Sequence, residues 1–279
     1  MQHQIKKTWF ITGASKGLGL ALVKQLLLAG QNVAATSRNL ADLTRAVSYS
    51  NSNFLPLQAD LASDTSVKKA ISATVAAFGT LDVLINNAGY GIGGSLEELA
   101  DKEIRTSFDV NVFGTINTIR HALPHMRRQR SGHIINISSI AGLAAATGWA
   151  AYAATKFAIV GLTEVLADDV RSFGIKATVV APGAFRTSFL TDDSLALPQN
   201  PIAEYEDIRA SHARYLAMNG QQAGDPEKAA AVMIETGFNP NPPLHLLLGS
   251  DAYARALAKT ESLAKEIELL KDLTISTDY

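Results

Sequence analysis

The hydrophobic and polar positions of the chain alternate between two kinds of segment. Short apolar runs rich in β-branched residues occupy positions 8–13, 32–37, 53–60, 81–89, 133–139, 176–183 and 244–250. Longer amphipathic stretches separate them, and two of these, 18–30 and 65–79, end in a glycine, as helices often do. The short runs are continuously apolar, which is typical of strands covered on both faces. The pattern predicts an α/β fold whose seven-stranded parallel sheet carries helices on both faces.

The alternation of predicted strands and helices extends through the whole chain with one interruption. Residues 188–224 contain no predicted strand, and a long excursion of this kind is often a lid over a site. A helix is predicted to follow, with Asp225 as its N-cap and Pro226 at its first position. Beyond the last strand, an amphipathic helical tail is predicted at about 251–272. The 279 residues show no repeat, low-complexity tract or linker, so a single domain over residues 1–279 is predicted.

Composition narrows the classes of function. Hydrophobic residues make up 47% of the chain and charged residues 18%, which indicates a globular protein with a large interior. The net charge of −1 gives no sign of a nucleic-acid partner or of an anionic membrane surface. The absence of cysteine excludes disulfides, thiolate catalysis and zinc sites built from cysteine.

The chain also lacks the usual signs of a metal site or of membrane targeting. His121 and His125 have metal-ligand spacing, but no acidic residue is close to them in sequence, and a solvated helix end is the favoured interpretation. No metal is therefore predicted. The N-terminus has no apolar core of signal-peptide length, and no uninterrupted apolar run approaches the roughly 18 residues of a spanning helix. A cytoplasmic location and no membrane partner are predicted.

Three glycines follow the first predicted strand directly. Gly13, Gly17 and Gly19 form a G-x-x-x-G-x-G pattern at the start of a helix. Glycines let the backbone approach a pyrophosphate, and the helix N-terminus supplies N–H donors and the positive end of a dipole. A tight strand-to-helix turn without a ligand is the alternative. Together with the predicted sheet, the pattern favours a Rossmann-type, doubly wound dinucleotide-binding fold.

The end of the second predicted strand indicates which dinucleotide is bound. Proteins that use NAD often have an acidic residue here, which binds the ribose hydroxyls. This chain has Ser37 followed by Arg38, and Lys16 lies in the glycine turn. A serine and two cations suit a ribose 2′-phosphate better, so NADP is the predicted cofactor. Two solvated surface cations are the alternative.

Tyr152 and Lys156 are the candidate catalytic pair. They are four residues apart in a predicted helix and therefore share one face. A tyrosine has a pKa of about 10, and a nearby ammonium lowers it, so Lys156 is expected to make Tyr152 an acid/base group. Such pairs are also common by chance. Ser139, at the end of a predicted strand, could hold and polarise a carbonyl.

Several motifs together resemble the classical short-chain dehydrogenase/reductase family over nearly the whole chain. They are "TGASKGLG" at 12–19, "ADL" at 59–61, "NNAG" at 86–89, Asn111 in "FDVNVFG", Ser139 in "ISS", "YAATK" at 152–156 and "PGAFRT" at 182–187. The sequence is most similar to members grouped with hydroxysteroid and retinol dehydrogenases. Thr155 stands where the family usually has serine, which keeps the hydroxyl.

The resemblance implies an NADP-dependent oxidoreductase of the carbonyl reductase kind. It would transfer a hydride between the nicotinamide and a ketone or secondary alcohol of an apolar substrate. Tyr152 would be the acid/base, Lys156 would also bind the nicotinamide ribose, Ser139 would hold the carbonyl, and Asn111 would anchor a water. The implied cofactor contacts are Gly13, Ser15, Lys16, Gly17, Leu18, Gly19, Ser37, Arg38, Asp60, Leu61, Asn87, Ala88, Gly89, Tyr152, Lys156, Pro182, Gly183 and Thr187.

Two other functions remain open at this point. One is a sugar-nucleotide epimerase or dehydratase on a similar fold, although its glycine spacing, TGxxGxxG, differs from that of this chain. The other is a non-enzymatic NADP-binding regulator, although such relatives typically lose the tyrosine that this chain keeps as Tyr152. The expected partners are a small-molecule carbonyl or alcohol and, as is common in the family, further copies of the chain in a homodimer or homotetramer.

Overall fold

The computed structural model describes residues 5–191 and 193–279. The strands are β1 Thr8–Ile11, β2 Asn32–Ser37, β3 Phe54–Gln58, β4 Val83–Asn86, β5 Gly91–Ile92, β6 Gly132–Ile137, β7 Ile175–Pro182, β8 Leu195–Ala196 and β9 His245–Leu248. Seven of them form one parallel sheet in the order β3-β2-β1-β4-β6-β7-β9, and β5 pairs with β8 in a second, two-stranded sheet. All seven predicted strands lie in the large sheet, and the predicted α/β fold of the Rossmann type is confirmed.

Helices cover both faces of the large sheet. They are α1 Gly17–Leu28, α2 Leu40–Val47, α3 Asp64–Phe78, α4 Asp101–Phe108, α5 Gly114–Gln129, α6 Ala150–Val170, α7 Glu206–Ala217, α8 Pro226–Phe238, α9 Ser250–Leu269 and α10 Lys271–Ile275. On one face α1, α2 and α8 pack against Trp9 and Ile11 of β1. On the other, α3, α5 and α6 pack against Phe10 and Leu84. Because β1 is buried on both sides, its residues are apolar without alternation.

The helix boundaries follow the expected local chemistry. The Asp225 side chain accepts hydrogen bonds from the backbone N–H groups of Glu227 and Lys228, and Pro226 begins α8. Gly30 and Gly79 follow the ends of α1 and α3 with φ of +73° and +81°, values that favour glycine. These predicted helix ends are confirmed.

The strand order creates a crevice between β1 and β4. From β1 the chain builds outward through β2 to β3, and then returns to build β4, β6, β7 and β9 on the other side. Parallel sheets of this kind bind ligands outside the carboxyl ends of the strands at the point where the order reverses. The turns after β1, β4, β6 and β7 all open at this edge, where the sequence motifs lie.

The 188–224 segment has more structure than its sequence indicated. It contains the two-residue strand β8, which pairs with β5, and the twelve-residue helix α7. The expectation that this segment has no strand was therefore wrong. A strand of two residues is too short to show a pattern of apolar and polar positions. Its partner, β5, also lies about 100 residues earlier in the chain.

The C-terminal tail is helical, as predicted, and projects from the body of the protein. Ala252 and Ala256 are buried, whereas every residue from Leu257 onward is exposed. Separately, the stretch Ala150–Phe173 is long and apolar enough to cross a membrane by length and composition, although about half of its most apolar part is buried inside the protein. Lys156 lies within this stretch, so its sequence contains no uninterrupted apolar run of that length.

Candidate active site

A cleft of about 1580 Å³ follows the carboxyl edge of the sheet. Its walls come from the glycine turn after β1, the ends of β2, β3, β4, β6 and β7, the start of α6, and the 188–224 segment. All the predicted site residues line this cleft except Gly19 and Asn111, which lie behind its wall. The structure thus brings together residues that are far apart in sequence.

The glycine turn is fastened to the end of β4. The Asn87 side-chain amide donates to the carbonyls of Thr12 and Gly13, both at 3.0 Å. A Cβ on Gly13 would lie 2.8 Å from Ala88 Cα, and one on Gly19 would lie 2.4 Å from the Gly13 carbonyl oxygen. The two glycines are therefore required by packing as well as by the positive φ of Gly13, +66°.

The N-terminus of α1 is open toward a ligand. Lys16, the residue that precedes this helix, provides no side-chain cap for its first N–H groups. Backbone N–H groups at such a terminus need an acceptor, and the helix dipole favours an anion there. A phosphate group would fit both requirements, with Gly17 and Leu18 in the cleft wall beside it.

The end of β2 forms the far end of the cleft. Ser37, Arg38, Asn39 and Asp42 line it, and Arg38 is exposed. The Ser37 hydroxyl accepts from the backbone N–H of Asn39 at 3.3 Å. Asp42 adds a carboxylate to this wall that the sequence interpretation did not consider.

Lys16 adopts an orientation that the sequence did not predict. Its ammonium donates to the carbonyl of Asp193, in the 188–224 segment, at 3.2 Å. A contact with a ribose 2′-phosphate would require the side chain to leave this carbonyl.

Tyr152 and Lys156 lie on the first turns of α6 and are both buried. Lys156 Nζ donates to the carbonyl of Ile137, at the end of β6, at 3.0 Å and lies 5.7 Å from the centre of the Tyr152 ring. Ser139 lies two residues after the end of β6, and its hydroxyl accepts a hydrogen bond from the Ala141 N–H at 3.1 Å. The predicted Ser–Tyr–Lys group is thus assembled in the cleft wall.

The electrostatics of this pair differ from the expectation. Burial raises the pKa of Tyr152 to about 12, although its hydrogen bond with Ser139 acts in the opposite direction. Burial also lowers the pKa of Lys156 to about 8. Burial of the phenol therefore outweighs any effect of the Lys156 ammonium on it. The expectation that the pKa of Tyr152 is lowered was wrong.

Asn111 lies in a π-helical turn, Asp109–Phe113, between α4 and α5. Its side-chain oxygen accepts from the Tyr90 N–H, and its amide donates to the Tyr90 carbonyl and to the Thr155 hydroxyl. A Cβ on Gly89 would lie 3.1 Å from Asn111 Oδ1 and 3.5 Å from Lys156 Nζ. Such turns often occur at functional sites, and here the turn brings Asn111 near Lys156 behind the cleft wall.

Aromatic side chains surround Tyr152 at the other end of the cleft. Its ring centre lies 6.3 Å from that of Trp149 and 5.8 Å from that of Phe189, and Trp149 lies 5.1 Å from Tyr215. Phe189 and Tyr215 belong to the predicted lid segment 188–224, whereas Trp149 lies outside it. Trp149 could have been found, because it is three residues before Tyr152 and close to the same helix face.

Gln222 is a further residue of the cleft wall that the sequence did not single out. It is 3% exposed, and neither atom of its side-chain amide has a hydrogen-bond partner within residues 5–191 and 193–279. Its backbone carbonyl accepts from Arg186, which ties it to the turn after β7. Buried amides are normally paired, so Gln222 is a candidate for a ligand contact.

His121 and His125 contact different partners. His121 Nε2 lies 2.8 Å from the Asp64 carboxylate of α3, so an acidic partner exists although none is close in sequence. His125 instead contacts Arg128 at 2.9 Å. Within the described part of the chain, no three histidine, aspartate or glutamate side chains are grouped as metal ligands. The absence of a metal stays a prediction.

A Rossmann-type sheet with a glycine turn after β1 and a Ser–Tyr–Lys group at the same edge is typical of a dehydrogenase. A family model described as short chain dehydrogenase matches residues 7–196. The chain therefore belongs to the short-chain dehydrogenase family of oxidoreductases.

Two curated relatives extend over most of the chain. Oxidoreductase BOA17 of Botryotinia fuckeliana is 34% identical, over 97% of this chain and 99% of its own. A 3-ketodihydrosphingosine reductase of Bacteroides thetaiotaomicron is also 34% identical, over 89% of each chain. Neither is named as a hydroxysteroid or retinol dehydrogenase, so that finer grouping stays a prediction.

Solved structures agree with this assignment. A short-chain dehydrogenase from Streptomyces avermitilis superposes with a TM-score of 0.90 at 33% identity and covers 99% of both chains. ElxO, solved with NADP bound, superposes with a TM-score of 0.73 at 30% identity and covers 88% of this chain and 97% of its own. The similarity therefore includes the 188–224 segment as well as the sheet.

Proposed function

We propose that this chain is an NADP(H)-dependent oxidoreductase that interconverts an apolar ketone and its secondary alcohol. One observation carries the proposal. Ser139, Tyr152 and Lys156 lie in the wall of the same cleft as the uncapped N-terminus of α1. A dinucleotide held by its phosphates at α1 could therefore extend toward the proton-transfer group.

The residues present fit a nicotinamide dinucleotide. Gly13 and Gly19 leave no space for side chains, and the start of α1, which has no side-chain cap, borders the cleft and can supply N–H donors to a pyrophosphate. Asp60 and Leu61 line the wall where an adenine would lie, and Lys156 is placed to bind a ribose hydroxyl. When bound, the nicotinamide supplies or accepts the hydride of the reaction. Pro182, Gly183 and Thr187 are the proposed contacts at that end of the cofactor.

The protein supplies the proton. The hydroxyl of Ser139 would hold the carbonyl oxygen of the substrate within reach of the Tyr152 phenol. In reduction Tyr152 donates its proton to the developing alkoxide, and in oxidation it removes the proton of the alcohol. The Lys156 ammonium offsets the negative charge left on the phenolate, and Asn111 donates a hydrogen bond to the hydroxyl of Thr155, the residue before Lys156.

Burial determines the resting protonation state of the acid/base group. A phenol whose pKa is raised to about 12 holds its proton at neutral pH, so Tyr152 is ready to act as the proton donor in reduction. Alcohol oxidation would use the deprotonated phenol, which burial disfavours.

NADP is the proposed form of the cofactor. Ser37 stands where a carboxylate would favour NAD, and the exposed Arg38 beside it can pair with a 2′-phosphate. The relative ElxO is solved with NADP bound, which supports the choice. Asp42 in the same wall disfavours NADP, because its carboxylate would repel the 2′-phosphate.

The substrate end of the cleft indicates an apolar ketone. Trp149, Phe189, Leu190 and Tyr215 line it, and such walls bury hydrocarbon or an aromatic ring. The relative named as a 3-ketodihydrosphingosine reductase acts, by its name, on a ketone. No observation favours the epimerase-like or regulatory alternatives. The cytoplasmic location, the single domain, the lid role of 188–224 and a homodimer or homotetramer stay predictions.

The experiment is a screen of ketones of graded size, followed by the absorbance of the reduced nicotinamide. The proposal expects NADPH-dependent consumption of apolar ketones and slower turnover of small polar ones. Binding of NADPH without turnover of any ketone or alcohol would favour the regulatory alternative. Lack of NADPH binding would contradict the proposal.

A further inference from the structure

The helix α7 holds the short turn that precedes the catalytic helix. The Ser211 hydroxyl donates to the carbonyl of Thr147 at 2.8 Å, and His212 Nε2 lies 3.0 Å from the carbonyl of Gly148. The Trp149 ring lies 5.2 Å from that of His212. Because α6 begins at Ala150, this turn determines where the first helical turn, with Tyr152, is placed.

Packing at this contact is close. A Cβ on Gly148 would lie 2.8 Å from His212 Nε2 and 2.8 Å from Ile208 Cγ2, and Gly148 has a φ of +82°. The carbonyl of Gly148 also accepts from the N–H of Gly94, in the loop after β5. A displacement of α7 would therefore move the Thr147–Trp149 turn instead of being absorbed by empty space.

A partly buried ion pair fixes α7 to the loop after β5. Nη2 of Arg209 donates to both carboxylate oxygens of Glu98, at 2.6 and 2.7 Å. The same carboxylate accepts from the N–H groups of Ser95 and Ile202, both at 2.8 Å. The Glu98 side chain is 0% exposed and that of Arg209 is 32% exposed. The Glu98 carboxylate thus connects the loop after β5 with Ile202, which precedes α7, and with Arg209 of α7 itself.

Glu98 remains ionised over the working range of pH. Burial acts to raise its pKa, but hydrogen bonds from Ser95, Ile202 and Arg209 outweigh burial and hold the pKa at about 2. A carboxylate that accepts four hydrogen bonds from three donor groups, with its own side chain shielded from solvent, gives a rigid attachment. The pair does not border the glycine turn and is absent from the cleft wall.

We propose that Glu98 and Arg209 are positioning residues for the catalytic tyrosine. The pair fixes α7, α7 fixes the Thr147–Trp149 turn, and this turn sets the position of Tyr152 relative to the substrate. The inference rests on the proposed function, because it gives Tyr152 the role of proton donor. It adds two residues to the reaction that touch neither cofactor nor substrate.

A purely structural role would give a different result from positioning. Removing one partner of a buried ion pair leaves an uncompensated charge and destabilises the fold, whereas apolar replacement of both is often neutral. Glu98→Met/Arg209→Met should therefore recover part of the melting temperature lost in Arg209→Met, although the N–H groups of Ser95 and Ile202 lose their acceptor. If the pair positions Tyr152, kcat does not recover with it, because the double variant also loses the attachment of α7 to Ser95 and Ile202 through the Glu98 carboxylate.

The experiment compares Glu98→Gln, Arg209→Met, the double variant and Ser211→Ala with wild type. Arg105→Met is the control, because it breaks an exposed ion pair with Asp101 on α4. The measurements are kcat with the best ketone, KM, NADPH affinity, melting temperature and acrylamide quenching of tryptophan fluorescence. The chain has two tryptophans, and Trp9 is fully buried in the core, so a change in quenching reports on Trp149.

Positioning predicts that kcat falls roughly 10-fold to 100-fold in Glu98→Gln and in the double variant, since small displacements of a catalytic group have such effects. NADPH affinity should change less than about twofold on the same argument, and quenching should increase. Ser211→Ala, which removes one hydrogen bond, should show a smaller change of the same kind. The control should match wild type.

Recovery of kcat together with melting temperature in the double variant would overturn the proposal, as would wild-type kcat and quenching in Ser211→Ala and Glu98→Gln. If wild type reduces no ketone, the proposed function fails on its own. The quenching data then still decide whether the pair holds the Trp149 turn, because unchanged quenching in all variants contradicts the attachment itself.

Discussion

Lys156 Nζ lies 5.7 Å from the centre of the Tyr152 ring and donates its hydrogen bond to the carbonyl of Ile137. The two side chains share one helix face, but both are buried, so the phenol keeps its proton and the pKa of the ammonium falls to about 8. The charge of Lys156 is consequently the first of the two to change as the pH rises.

Ketone reduction should therefore lose rate as the pH rises through about 8, the pKa of Lys156. Below this pH the ammonium is charged and stabilises the phenolate that forms when Tyr152 gives up its proton. Lys156→Arg keeps a charge at all accessible pH values, so it should move the decline to higher pH even if kcat is lower. The measurement is a pH profile of kcat, with Lys24→Arg, an exposed position on α1, as the control. A decline that stays at the same pH in Lys156→Arg would assign it to another group.

Gly19→Ala should weaken NADPH binding by roughly 10-fold or more and destabilise the fold by about 1–3 kcal/mol. Its Cβ would meet the Gly13 carbonyl oxygen at 2.4 Å and the Asn87 amide at 2.6 Å, which would displace the glycine turn. Gly161→Ala in α6 is the matched control, because nothing lies within 4 Å of its Cβ. Alanine there should stabilise the helix by about 1 kcal/mol. Titration of the protein fluorescence with NADPH measures the affinity, and thermal unfolding measures the stability. Equal NADPH affinities in Gly19→Ala and Gly161→Ala would contradict the phosphate-binding role of the glycine turn.

How much of this site could be predicted depends on how local each feature is. The glycine turn, the strands and the Tyr152–Lys156 spacing are short-range patterns, and the structure has them where the sequence indicated. Other contacts join residues far apart in the chain, and no local pattern of hydrophobic and polar residues predicts them. They are the β5–β8 pair, the Asp64–His121 contact and the Glu98–Arg209 pair. The direction of the pKa shift of Tyr152 depends on burial, which the sequence does not give.

The coenzyme preference should reverse in Ser37→Asp/Arg38→Leu. A charged hydrogen bond contributes about 1.5 to 3 kcal/mol, so Arg38 accounts for a preference of roughly 10-fold to 100-fold for NADPH. The new carboxylate would repel the 2′-phosphate and accept bonds from the ribose hydroxyls of NADH. The measurement is kcat/KM for both coenzymes at low and moderate salt. Arg171→Leu, which removes an exposed arginine at the end of α6, is the control. A wild type that prefers NADH would contradict the assignment.

The double variant Phe189→Ala/Leu190→Ala should raise KM for bulky apolar ketones more than for small ones. Phe189 lies 5.8 Å from the Tyr152 ring, and both residues line the cleft, so their removal takes apolar contact from large substrates. Each large side chain buried by a substrate is worth about 1.5–3 kcal/mol, so KM for the bulky ketone should rise at least 10-fold. Leu216→Ala, an exposed position on α7, should leave KM unchanged. Equal effects on small and bulky ketones would indicate a structural role.

The most direct test is the turnover of Tyr152→Phe with the best ketone and NADPH. The change removes one hydroxyl from a buried ring that packs between Trp149 and Phe189, so fold and coenzyme affinity should be retained. If Tyr152 is the proton donor, kcat falls by roughly 100-fold or more while the Kd for NADPH stays within about twofold. A Tyr152→Phe protein that binds NADPH normally and reduces the ketone at the wild-type rate would contradict the account.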